Sequence, residues 1–151
     1  MSRLNVAELA PQAYKAFLLA EQAIRQGPLD ATIRELVKIR ASQMNKCLFC
    51  IDMHTHEALE LGENLNRIIQ LPAWRESQLY TEAEQAALAY AEAATKGPEE
   101  VTDEIWTAVT DAFKEDEAAF LVAQVAQINM WNRIAGTMHT EPPNRESASR
   151  S

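Results

Sequence analysis

The chain has 151 residues, with 14 Lys plus Arg against 22 Asp plus Glu, for a formal net charge of −8. That length suits one domain with a real core, and the acidic balance lacks the basic footprint that nucleic acid demands. At 47% hydrophobic and 24% charged residues, wholesale disorder is excluded, and only 4 glycines and little Val/Ile/Thr alternation point to helix.

In chain order, Pro11 opens a helix that runs to about Gln26, where Gly27-Pro28 stops it. Asp30 caps a second helix reaching Met44, and Asn45-Lys46 breaks the pattern. A third helix covers Cys47 to Leu61, with Gly62 at its end. A short helical piece, Leu65 to Gln70, precedes Pro72. Thr81 and Glu84 form a capping box for a helix to about Thr95, closed by Gly97-Pro98. Another helix spans Thr102 to Phe113, and Asp116 caps a last, long one to Met138. The fold class is therefore all-α, a compact multi-helix domain over residues 1–140. Residues 141–151 read as a flexible polar tail.

Met1 to Ala10 has no basic segment followed by an apolar one, so no secretory signal is expected. The most apolar stretch, Ala118 to Ile134, is interrupted by Gln124, Gln127, Asn129, Asn132 and Arg133. It reads as a buried helix rather than a membrane span, and its polar residues are expected to bond between helices. Trp131, Met130, Ile134 and Phe120 read as core or interface. The default compartment is the cytoplasm, where a closely spaced Cys pair points to redox or metal chemistry.

That pair, Cys47 and Cys50, carries the most information. At 100° per residue, both cysteines and His54 share an arc of roughly 60° with the apolar stripe. Asp52, His56, Glu57 and Glu60 fall on the solvated side. Cys47 and Cys50 are close enough to bond, and His54 neighbours Cys50 at i+4. A histidine there can take a thiol proton, and the start of a helix favours a thiolate. A thiolate reduces a peroxide to leave a sulfenic acid, and a second thiol condenses with it to a disulfide. Other readings share the spacing. A structural disulfide closing so short a loop gains only about 2 kcal/mol, against about 4.7 for a 100-residue loop. Zinc lacks a fourth ligand, since His56 points away from His54. Two inert buried cysteines are the plain alternative.

On the second helix, Glu35 falls opposite the stripe of Ile33, Leu36, Val37, Ala41 and Met44, as a surface carboxylate would. Arg40 lies inside that stripe and needs a buried acidic partner.

The segment from Glu35 to Gly62, ELVKIRASQMNKCLFCIDMHTHEALELG, resembles the core motif of AhpD-like alkylhydroperoxidases in the carboxymuconolactone decarboxylase superfamily. The match is a Glu, then Cys-x-x-Cys-x-x-x-His, then Ala and Gly. Residues 128–134, Ile-Asn-Met-Trp-Asn-Arg-Ile, resemble the family's signature in its last helix, and the likeness spans about residues 10 to 140. The resemblance implies an all-helical fold assembled as a homotrimer or homohexamer. It implies a thiol-dependent peroxidase or disulfide reductase acting on small hydroperoxides, with no metal, haem or flavin cofactor. Cys50 would be the peroxidatic cysteine, titrating below the free-thiol value of about 8.5. Cys47 would be its disulfide partner and proton donor, and His54 and Glu35 the proton relay. Glu35 would then have to be buried. Electrons would come from a dithiol donor, a lipoyl-bearing protein in the best-known members. Phe49 stands where some peroxidase members carry a histidine. A non-catalytic redox-sensing dithiol protein and a decarboxylase-like enzyme are the competing functions.

Overall fold

The structure is a computed structural model that describes residues 1–145. Among those residues there are eight α-helices and no strand: α1 (Val6–Leu9), α2 (Pro11–Arg25), α3 (Ala31–Met44), α4 (Leu48–Glu60), α5 (Leu65–Gln70), α6 (Glu82–Lys96), α7 (Asp103–Ala112) and α8 (Glu115–Thr137). The all-α expectation holds, and α2 to α6 begin or end within a residue or two of the expected bounds. Two pieces were not legible in the periodicity: the single turn α1, capped by Asn5, and a 3-10 turn over Leu71–Glu76 that buries Leu71 and Trp74. No helix is long and apolar enough to cross a membrane among the described residues. Residues 141–145 carry no helix; the rest of the expected tail, 146–151, lies outside the described residues.

The local causes are visible at the helix ends. Asp30 Oδ1 accepts from the backbone N–H of Thr32 (2.9 Å) and Ile33 (3.3 Å), capping α3. Thr81 and Glu84 close the expected capping box on α6. At α8 the cap differs: Lys114 takes the cap position, and Asp116 sits inside the first turn with Glu115 and Glu117. Three carboxylates there complement the positive end of the longest helix.

α3 is the centre of the fold. It packs on α4, α6 and α8, and nearly its whole circumference is buried, from Ile33 through Ile39 and on to Ala41 and Ser42. A helix covered on all sides has no solvated face, which is why its pattern misplaces Glu35. Its charged residues must then be paired inside the protein. Arg40 Nε donates to Glu92 Oε1 at 2.7 Å, the buried acidic partner that its position in the stripe demanded. Glu92 also accepts from Trp74 Nε1 at 3.0 Å and from Arg75. Burial pushes the Glu92 carboxyl up, but the bonds from Arg75, Arg40 and Trp74 hold it below the usual range. Glu92→Ala would leave Arg40 with an uncompensated charge. It is expected to cost about 3 kcal/mol, read as a lower midpoint in urea unfolding.

Asn129 and Asn132 make the interhelical bonds expected of them. Asn45 Nδ2 donates to Asn129 Oδ1 (2.8 Å) and to Asn132 Oδ1 (2.9 Å), and Asn132 Nδ2 donates to Ser42 Oγ (3.0 Å). This network welds α8 to the α3–α4 turn. Arg133, grouped with them from sequence, instead faces solvent.

Candidate functional site

The site begins at the turn between α3 and α4. Lys46 adopts the left-handed conformation (φ 54°), and the Cys47 N–H then reaches back to the Ser42 carbonyl at 3.0 Å. That bond ends α3 and delivers Cys47 as the cap residue of α4, in extended conformation, rather than as its first helical residue. Cys50 lies in the first turn. Both are buried free thiols, packed with Ala135 of α8 and flanked by Phe49.

The two sulfurs hydrogen-bond to each other, and the bond is asymmetric. The Cys50 thiol donates to Cys47, which lowers Cys47 from the ordinary 9.0 to about 7 against the opposing effect of burial. The Cys50 backbone N–H and the Asn132 amide add to this stabilisation. Cys50 is pushed up by the same bond, by burial and by the Cys47 charge. The shared proton therefore favours Cys50, and Cys47 is the lowered thiol, whereas the sequence led us to expect a lowered Cys50. The Cys50 backbone N–H and the Asn132 amide bear on both sulfurs, so it is the proton shared between the two thiols that sets them apart.

His54 follows one turn later, buried on the same face. Its Nδ1 is 3.0 Å from Glu57 Oε2. This bond, with the nearby Lys38 and Arg25 charges, holds Glu57 below the usual carboxylate range against its burial. An ionised carboxylate only accepts, so Nδ1 carries the proton that faces Glu57. Nε2 is buried with no hydrogen-bond partner in the subunit. Glu35 is 3% exposed, as the resemblance required and the helical pattern did not. Its Oε1 meets Lys38 Nζ at 2.9 Å, while Oε2 has no hydrogen-bond partner. Donor atoms of Glu35, His54 and Glu57 all lie within 4.8 Å of one another, a spacing loosely compatible with a metal. The Lys38 ammonium already stands beside both carboxylates, so the residues do not fit a second cation there.

A cavity of about 400 Å³ opens onto this cluster. Cys50, His54 and Glu57 border it, along with Phe49, Met53 and Trp131. Cys47 does not border it. Trp131 and Ile134 thus line the cavity, where the sequence placed them in core or interface. Trp131 is fixed by an edge contact with Tyr14 (centroids 5.3 Å apart) and by donating Nε1 to Glu21 Oε2 at 3.0 Å.

The sequence profile of the carboxymuconolactone decarboxylase family matches residues 11–93, more than half of the chain. The chain belongs to the carboxymuconolactone decarboxylase family. Among relatives of this family member, the uncharacterized protein YdfG of Bacillus subtilis (strain 168) is 42% identical over 137 residues, covering 90% of this chain and 93% of that one. The uncharacterized protein YnjA of Escherichia coli (strain K12) is 32% identical over 114 residues, covering 76% of this chain and 63% of that one. A protein of unknown function from Agrobacterium tumefaciens, ATU0492, named as a candidate antioxidant defence protein AhpD, superposes with a TM-score of 0.93. It is 34% identical, over 96% of this chain and 100% of that one. The debrominase Bmp8 shares the fold at a TM-score of 0.82 and 22% identity, over 93% of this chain and 76% of that one. The fold is thus AhpD-like, as the motif implied.

Within this family member, sequence reasoning missed Glu57 and Lys38. Glu57 was assigned to the solvated side because a helical wheel ignores side-chain length. It sits three residues after His54, and that spacing was the available signal. Lys38 had none: a lysine three residues after a glutamate on an apolar helix looks like a surface pair.

Proposed function

We propose that this chain is a thiol-dependent peroxidase or disulfide reductase acting on small organic hydroperoxides. One observation carries the reading: Cys50 borders an apolar cavity with a second thiol bonded behind it and, one turn away, an imidazole whose Nε2 has no partner. The likeness to ATU0492 at 34% identity supports it. Cys50 would pass its proton to the Cys47 thiolate or to His54 and attack the distal peroxide oxygen. The S–O bond forms as the O–O bond breaks, and the alcohol leaves with a proton. Cys47 sulfur then attacks the sulfenic sulfur, and water departs as the disulfide closes. Dithiol and hydroperoxide together give disulfide, alcohol and water. An external dithiol, such as a lipoyl-bearing protein, would reopen the bond by exchange. Glu35 would complete the relay through the charges around His54. Exposed Leu61, Leu65 and Ile69 offer an apolar surface for the homotrimer or homohexamer expected of the family. This reading places the protein in the reducing cytoplasm.

The test is consumption of cumene hydroperoxide with dihydrolipoamide as donor. Many turnovers per subunit, lost in Cys47→Ser/Cys50→Ser, are expected. Oxidation of a single equivalent that no dithiol reverses would indicate the redox-sensing protein instead. Lactone chemistry that survives loss of both cysteines would indicate the decarboxylase-like enzyme.

A further inference from the structure

Lys38 is the largest of the fully buried side chains, at 1% exposure. No step proposed above uses it. Its ammonium lies 2.9 Å from Glu35 Oε1, 3.9 Å from Glu57 Oε2 and 3.9 Å from Glu21 Oε1. It is thus shared among carboxylates from three helices, α2, α3 and α4. A buried ammonium is costly, and so is the buried Glu35 carboxylate beside the half-buried Glu57 and Glu21 if no cation stands among them. Each side therefore makes the other tolerable. Two of these carboxylates belong to the thiol site: Glu57 holds His54 Nδ1, and Glu35 lies within 4.8 Å of both His54 and Glu57. Glu21 is tied in turn to Trp131, a wall of the cavity.

We propose that Lys38 is a positioning residue of the thiol site, a built-in cation that keeps Glu35 and Glu57 together as carboxylates and so fixes His54 with Nδ1 bonded to Glu57 and Nε2 bare. The catalytic part of this inference rests on the peroxidase reading; the placement of the His54 proton does not. The titratable and charged groups around His54 are Glu57 and Cys50 of α4, Glu35 of α3 with its neighbours Lys38 and Arg34, and Glu21 and Arg25, which border the same cavity from α2. α8 contributes Trp131 and Asn132, which do not titrate. Removing the ammonium leaves this set with an extra negative charge, which favours the imidazolium. His54 should then protonate at higher pH and lose the bare Nε2 that a thiol proton needs.

The closing experiment is nitrogen-15 NMR of labelled histidine in the reduced full chain, with His56→Gln and His139→Gln used for assignment. In the unsubstituted chain, His54 should show the Nδ1–H form. In Lys38→Met its midpoint should rise by about one pH unit or more, and in Lys38→Arg, which restores the charge, it should return most of the way. Glu57→Gln should lower the midpoint and mix the two neutral forms. Should Lys38→Met not fold, Lys38→Arg and Glu57→Gln still decide the matter. A His54 midpoint and proton position indifferent to Lys38→Met, or to Glu57→Gln where the former does not fold, would overturn the proposal. If the chain also turns over hydroperoxide, the acid limb of kcat should move with the NMR midpoint while KM stays within about twofold, since Lys38 does not border the cavity. Absence of turnover would defeat the peroxidase reading and leave the NMR result to judge Lys38.

Discussion

Cys50→Ser is expected to lower hydroperoxide turnover by roughly a thousandfold or more, while Cys47→Ser completes one round and stops. The asymmetry follows from position. Cys50 borders the cavity, and Cys47 sits behind it, bonded to Cys50 and Asn132. A hydroperoxide therefore meets the Cys50 sulfur first, although Cys47 is the more acidic thiol. The two facts are compatible because the pair shares a proton across one hydrogen bond. Moving it from Cys50 to Cys47 costs little compared with stripping Cys50 alone inside an apolar site. Cys47→Ser removes that acceptor, so the first step must use His54 and should slow by roughly ten- to a hundredfold. It also removes the resolving sulfur. One equivalent of hydroperoxide should then leave a sulfenic acid on Cys50, trapped by dimedone and located by peptide mass spectrometry. A dimedone adduct on Cys47 in the Cys50→Ser chain, formed at the unsubstituted rate, would reverse the two roles.

What the amino-acid pattern revealed, and what it hid, divides along a physical line. Helix bounds were legible because caps and breakers act locally: Asp30, the Thr81–Glu84 box and Gly62 each sit where their own backbone needs them. The grouping of Cys50 with His54 was legible because one helical turn is a fixed geometry. Burial of Glu35 was not, since it depends on α4 and α8 covering the face of α3 that its sequence leaves polar. Only the resemblance to a family corrected that. Lys38 was hidden for the related reason that a buried ion pair looks like a surface one until the partner helices are in place. The order of the two thiols was hidden because it turns on which sulfur keeps the proton they share, and helical spacing places both sulfurs without deciding that.

The unequal sharing of that proton bears on stability. Folding lowers Cys47 from 9.0 to about 7. Between those values the unfolded chain still holds a proton that the native chain has released, so stability rises with pH across the window. The contribution is complete above 9 and is lost as pH falls through 7. Cys50 acts in the other direction, because folding pushes it up. Above pH 9 the unfolded Cys50 ionises while the native one stays protonated, and stability turns down again. The reduced protein should therefore be most stable between about pH 8 and 9, with a rise of about 2 kcal/mol from pH 6. Urea unfolding at one-unit steps under a reducing phosphine reads this directly, and thiolate absorbance near 240 nm should appear with a midpoint close to 7. Both features should vanish in Cys47→Ser. They should also weaken in Asn132→Ala, which takes one donor from the Cys47 sulfur and leaves the other two in place. A flat stability profile from pH 6 to 9 would mean that the bond from Cys50 does not lower Cys47, and the two thiols would then share the proton evenly.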